Sequence, residues 1–131
     1  MATRTGGCLC GRVRWAYEGP ENWRAHCHCT SCRRNTASPF TTFMGVPYAR
    51  FRFTVAVPET YASSPGVRRR FCAACGTPVA YEAERYPDEI HLYAASLDEP
   101  ADFQPQFHVH TAEALPWVEL ADSLPRFPHN G

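Results

Sequence analysis

The 131-residue sequence contains no lysine: all 13 of its basic side chains are arginine, against 13 acidic ones. Schiff-base chemistry on a lysine amine is therefore excluded, and any anion held by a side-chain cation is held by arginine or histidine. Excess charge of either sign is also missing, the formal net charge being zero with histidine neutral. Such a chain has no basic field for phosphate backbones or anionic surfaces, so neither nucleic acid nor membrane is expected as a partner. No apolar run approaches the ~18 residues of a membrane span, and the opening MATRTGGCLCGRVRW lacks the apolar stretch of a secretory signal. The expectation is a cytoplasmic protein with reduced thiols. Repeats, low-complexity tracts and Gly/Ser linkers are absent as well, so residues 1–131 read as one domain.

What is present is cysteine. Seven fall in three clusters, CLC (Cys8, Cys10), CHCTSC (Cys27, Cys29, Cys32) and CAACG (Cys72, Cys75). An odd number in a reducing compartment argues against a disulfide framework, and C-x-C and C-x-x-C spacing is not that of core filler. Zinc fits both the spacing and the thiolate donors, ahead of redox thiols or an iron-sulfur cluster. A structural zinc takes four protein ligands and a catalytic one takes three. Spacing alone does not fix how the clusters combine. Joining CLC to CAAC, with CHCTSC left to itself, is the one division into four and three that keeps each cluster whole. Seven thiolates and two zinc ions take the formally neutral chain to about −3.

Twelve prolines and eight glycines leave little room for long helices. Alternation of period two appears instead: in GRVRWAYEG, Val13, Trp15 and Tyr17 share one face. Further strands are expected over 40–46, 50–55, 67–71, 79–82, 89–94 and 106–110, with a short helix over 31–36 capped by Thr30. The predicted class is all-β, small antiparallel sheets clamped by zinc with little helix. Gly6, Gly7, Gly11 and Gly76 flank the cysteines where a chain must bend to bring sulfurs together. Extended geometry turns His26 and His28 away from the metal that Cys27 and Cys29 face, towards hydrogen bonding or packing.

These motifs carry a resemblance. CLCG, HCHCTSCRR, RRRFCAACGTPV, SLDEP and FHVHTAEALPW are similar to the glutathione-dependent formaldehyde-activating enzyme family, itself similar to the centromere protein V group. The likeness runs from about Gly6 to Pro125, with Phe71, Gly76, His108 and Trp117 in the family's order. It implies a β-tent fold, a structural zinc on Cys8, Cys10, Cys72 and Cys75, and a catalytic zinc on Cys27, Cys29 and Cys32. It also implies carbon-sulfur lyase activity, the reversible condensation of formaldehyde with glutathione to S-hydroxymethylglutathione. Partners would be a small-molecule thiol such as glutathione and a small aldehyde.

Three thiolates leave Zn²⁺ at about −1, and nearby positive charge would help such a site accept a thiolate. Arg33 and Arg34, directly after Cys32, are the candidates for that role or for a substrate carboxylate. Arg68, Arg69 and Arg70 read mainly as a solvated strand. His91, His108 and His110 are placed by nothing in the sequence near Cys32, and core or surface roles are expected of them. Trp15, Trp23 and Trp117 read as core or rim aromatics, with Trp117 able to wall a pocket. The competing function is a non-enzymatic zinc module, both metals structural, that presents a surface to a partner.

Overall fold

In the computed structural model, which describes residues 2–130, ten strands form two sheets, and one short α-helix links two neighbouring strands of the larger sheet. The strands are β1 (Thr3–Gly7), β2 (Arg14–Glu18), β3 (Trp23–Cys27), β4 (Thr41–Pro47), β5 (Phe51–Phe53), β6 (Glu59–Ser64), β7 (Val67–Phe71), β8 (Pro78–Ala83), β9 (Glu89–Tyr93) and β10 (Phe107–Val109). The helix, α1, spans Thr30–Thr36. A three-stranded sheet runs β1-β2-β5 and a seven-stranded sheet runs β10-β3-β4-β9-β8-β7-β6. The all-β expectation with little helix holds. Within these sheets one pairing departs from the antiparallel rule, since β10 lies parallel to β3.

Strand β2 illustrates how pattern becomes packing. Trp15 and Tyr17, with Val13 just before the strand, are 2% exposed or less and pack on Met44, Val46, Ile90 and Leu92 of the large sheet. Burying side chains of this size contributes about 1.5–3 kcal/mol each. The small sheet thus covers one face of the large one. The opposite face carries a second cluster, Cys27, Cys32, Phe43 and Tyr93, with Trp23 and Tyr81 against it.

Register assigns the strand residues around the site to one of these faces, because directly paired residues share a face and neighbours along a strand alternate. Cys27 pairs with Thr41, Ala25 with Phe43, and Trp23 with Gly45. Phe43 pairs in turn with Tyr93 and Gly45 with His91, then His91 with Tyr81 and Tyr81 with Arg69. These residues form the face away from the small sheet. His26 pairs with Thr42 and His108, on the other face.

The helix starts one residue earlier than its expected cap requires. Cys29, not Thr30, is the N-cap, its Sγ accepting the Cys32 N–H at 3.3 Å. Thr30 is occupied elsewhere: its N–H and Oγ1 both donate to Glu113 Oε1, at 3.1 and 2.8 Å. Strands β1, β3 and β6 were not among the expected ones.

Candidate metal centres and the cavity beside one of them

Two loops bring four cysteines together. The chain reverses between β1 and β2, where Gly11 adopts φ +81° and its N–H bonds Cys8 O at 3.2 Å. Beyond β7, Gly76 at φ +78° closes the second turn, its N–H donating to Cys72 O at 2.7 Å. Such backbone angles favour glycine, which has no Cβ to clash. The result is a group of Cys8, Cys10, Cys72 and Cys75 with all sulfurs within 4.8 Å of one another. Sγ separations of 3.7 Å (Cys8–Cys10) and 3.8 Å (Cys10–Cys72) match the edge of a tetrahedron with Zn–S bonds of about 2.3 Å. Val13 N–H donates to Cys8 Sγ at 3.2 Å, and the Thr77 hydroxyl lies 3.2 Å from Cys75 Sγ. Thr77's side chain and backbone hold the Cys75 thiol down at about 5. Cys10 moves the other way, to about 11: an Arg12 backbone contact lowers it, but Cys75, burial, Cys8 and Cys72 outweigh that.

The other three cysteines converge from consecutive elements: Cys27 ends β3, Cys29 caps α1, and Cys32 sits in the first turn of the helix, buried. Cys27 and Cys32 sulfurs are 3.8 Å apart, and the three fall within 4.8 Å of one another. Among the described residues no fourth Cys, His, Asp or Glu donor joins that group. Hydrogen bonds from Cys27 and Cys32 hold the Cys29 thiol down at about 2, while Cys27 is pushed up by Cys29, Cys32 and burial. Cys32 rises to about 11, the lowering effect of Cys27 being exceeded by Cys29 and burial. Sulfurs that share protons this closely form a donor set whose protons a cation displaces on binding. Both groups fit zinc in donor type, number and spacing.

Arg69 reaches the smaller group. Its Nη1 donates to Cys32 Sγ at 3.8 Å, its Nε donates to Ser63 Oγ at 3.2 Å, and its guanidinium lies 5.0 Å from the Tyr81 ring centroid. The side chain is 6% exposed. Cys27, Cys29 and Cys32 together line a cavity of about 840 Å³ that continues along the sheet to Trp23, Tyr81 and His91. None of the four cysteines of the larger group lines it.

The sequence profile of the glutathione-dependent formaldehyde-activating enzyme family matches residues 3–113. The chain belongs to that family. A Halomonas elongata protein provisionally named as such an enzyme is 25% identical over 126 residues, covering 88% of this chain and 79% of the relative. A crystal structure of a Rhodobacter sphaeroides protein superposes with a TM-score of 0.61 at 18% identity, covering 94% of this chain and 98% of that one. At that identity the likeness speaks for the fold alone.

For a family named for glutathione and formaldehyde, the arginines matter. Arg34 is exposed and Arg33 half-buried, with Nη2 donating to Thr30 Oγ1 at 3.3 Å, and neither lines the cavity. Arg69 and Arg85 do. Of the histidines, His91 and His110 line the cavity, whereas His108 is fully buried on the other face. There His108 Nδ1 lies 2.9 Å from His28 Nε2, and its Nε2 3.0 Å from Asp122 Oδ2. His26 Nδ1 lies 2.8 Å from Thr42 Oγ1. Trp117 is 70% exposed and Trp23 takes the wall position instead. Arg69, Tyr81, Glu89 and Trp23 were missed as site residues. Their signal was period two along β3, β7, β8 and β9, which puts them on Cys27's face once strand order is known. Among the described residues no helix is long and apolar enough to cross a membrane.

Proposed function

We propose that the chain is a zinc-dependent carbon-sulfur lyase that adds a thiol such as glutathione reversibly to formaldehyde or another small aldehyde. The closed group, Cys8, Cys10, Cys72 and Cys75, holds the structural zinc, and Cys27, Cys29 and Cys32 hold the catalytic one. The observation that carries this reading is the position of the two groups: the set of three sulfurs lines the cavity, and the set of four lies outside it. A non-enzymatic module with two structural zincs has no need of that difference.

Zinc on three thiolates would supply a position for the incoming thiol, ease the loss of its proton and polarise a carbonyl oxygen. The residues around it account for charge and proton. Arg69, beside Cys32, offsets the negative charge that three thiolates concentrate at one point. His110 lines the cavity with Nδ1 3.6 Å from Glu113 Oε2, an arrangement suited to receive the thiol proton. Glu113 also accepts from Thr30, so the same carboxylate ties His110 to the helix that carries Cys32. In the forward direction the thiol loses its proton and its sulfur bonds to the carbonyl carbon. The π pair moves to oxygen, which takes up a proton to give the S-hydroxymethyl adduct. The reverse reaction retraces these changes.

The test is the rate of S-hydroxymethylglutathione formation with zinc-loaded protein against the spontaneous reaction. Acceleration by the native chain and its loss in Cys29→Ala, with one zinc retained, is expected. A fully zinc-loaded chain that leaves the spontaneous rate unchanged would instead favour the partner-binding module.

A further inference from the structure

Formaldehyde has one carbon, and the cavity extends well beyond what that carbon occupies. Trp23 stands four residues from Cys27 on the same face of β3, about 13 Å along the strand. At that remote end the wall is a box of rings around His91. Trp23 meets the imidazole edge-on at 4.7 Å between centroids, Tyr81 stacks on it at 5.4 Å, and Tyr86 lies at 4.9 Å. Gly45 makes the box possible: a Cβ there would fall 2.3 Å from Trp23 Nε1, so the indole lies against bare backbone.

One polar device is set into the box. Glu89 accepts from Asn22 Nδ2 at 3.0 Å, Trp23 Nε1 at 2.8 Å and His91 Nε2 at 2.6 Å. Three donors hold the carboxylate in place and fix the imidazole with Nε2–H towards it. Nδ1 of His91 has no partner among the described residues. It is available as an acceptor at a cavity-lining position. Rings and an acceptor-only Glu89 offer a carboxylate nothing at this end, which leaves Arg85, 5.1 Å from the Tyr86 ring centroid, and Arg69, beside Cys32, as the lining cations for glutathione's carboxylates.

We propose that this end of the cavity is a subsite for an aromatic group, and that the chain acts on thiol adducts of aryl-bearing aldehydes with a spacer between ring and carbonyl. The inference rests on the lyase reading above and specifies its substrate class. Trp23, Tyr81 and His91 determine specificity, since stacking on rings set along β3 and its neighbours away from the sulfurs supplies binding that a one-carbon substrate cannot use. A ring carrying a hydroxyl gains further by donating to His91 Nδ1.

The zinc-loaded protein is assayed with glutathione and formaldehyde, propanal, 3-phenylpropanal or 3-(4-hydroxyphenyl)propanal, and titrated with S-propyl- and S-(3-phenylpropyl)glutathione. We expect kcat/KM for 3-phenylpropanal to exceed that for propanal at least tenfold, and the phenylpropyl conjugate to bind at least tenfold tighter than the propyl one. Trp23→Ala should abolish both ratios, with a loss for 3-phenylpropanal at least tenfold larger than that for formaldehyde and zinc content within about twofold. His91→Phe should keep the phenyl preference and lose the added gain of the hydroxyl. Equal values for propyl and phenylpropyl ligands, or a Trp23→Ala loss shared equally by formaldehyde, would overturn the subsite. If no aldehyde is turned over, the lyase reading fails, and the two conjugates still decide the subsite by binding.

Discussion

Replacing Arg69 with methionine removes one charge while keeping an unbranched stem against Tyr81, and it isolates what that charge does for the three-sulfur centre. A full charge pair at 3.8 Å and an effective dielectric near 20 interacts by about 4 kcal/mol. Part of that returns when a side chain only 6% exposed no longer has to be desolvated as an ion. Hydrogen bonds to charged groups leave a net value of about 1.5–3 kcal/mol. The corresponding change in zinc affinity is roughly ten- to a hundredfold. It should fall on the Cys27, Cys29, Cys32 centre alone, because Arg69 touches none of the other four cysteines. Arg69 favours the thiolate form, so its removal should also shift the pH at which the weaker zinc loads upwards. Competition with a chromophoric chelator, read as two separate steps per chain, gives both quantities. Arg69→Lys should recover part of the loss through charge without the planar fork. Native affinity for both zincs in Arg69→Met would refute the assigned electrostatic role.

The two sulfur groups should respond differently to truncation. Cys75→Ala should fail to fold, since structural zinc binding of about 10–16 kcal/mol rivals the stability of a whole domain, whereas Cys29→Ala should fold, lose one zinc by elemental analysis and forgo the cap on α1 at about 1 kcal/mol. Glu89 is held down at about 2, chiefly by the His91 hydrogen bond and then by Trp23 and Asn22 against the effect of burial. Its contribution is therefore complete above the ordinary carboxylate value near 4.5 and is lost as pH falls towards 2. Glu89→Gln should cost on the order of 1–2 kcal/mol at pH 7 after solvent screening, and the gap from the native protein in urea midpoints should begin to close below about pH 4.5. His108→Ala should cost about 2–4 kcal/mol, because a fully buried imidazole with two side-chain partners is deleted; a urea midpoint unchanged from the native protein would remove that bridge from the account.

How far the sequence could be read depended on whether a feature was local. The cysteine groups were legible because spacing and ligand count are sequence properties, and the strand around Trp15 was legible because its alternation is complete within five residues. β3 was left out of the strand list although its alternation is complete, Trp23, Ala25 and Cys27 on one face and Arg24 and His26 on the other, because the segment was read for its metal ligands and not for its period. β6 is exposed at nearly every position and offers no pattern. Arg69 was beyond reach for another reason. Within RRR each arginine looks alike, and only the pairing of β7 with β8, and β8 with β9, decides that the middle one shares a face with Tyr81, His91 and the sulfurs. Arg33 and Arg34 drew attention by adjacency to Cys32, but a helix turns successive residues through about 100° and carries them off the cavity.

Strand β3 also joins the two faces of the large sheet at the site. Cys27 points to the cavity, and His26, its neighbour, packs on the opposite face at 4.8 Å between centroids from His108. His28, just past the strand, meets His108 through a hydrogen bond, and Asp122 completes the chain from the C-terminal segment. The Cys27–Cys29 loop is therefore gripped from behind by a buried polar line, while its sulfurs face the cavity. The backbone adds two further ties, His28 N–H to Val109 O at 3.1 Å and His108 N–H to Pro125 O at 2.9 Å. A centre with three protein ligands has less covalent hold on its loop than one with four, so the loop needs support from another source. The imidazoles on either side of Cys27, His26 and His28, supply it, and that role accounts for their packing on the face turned away from the sulfurs.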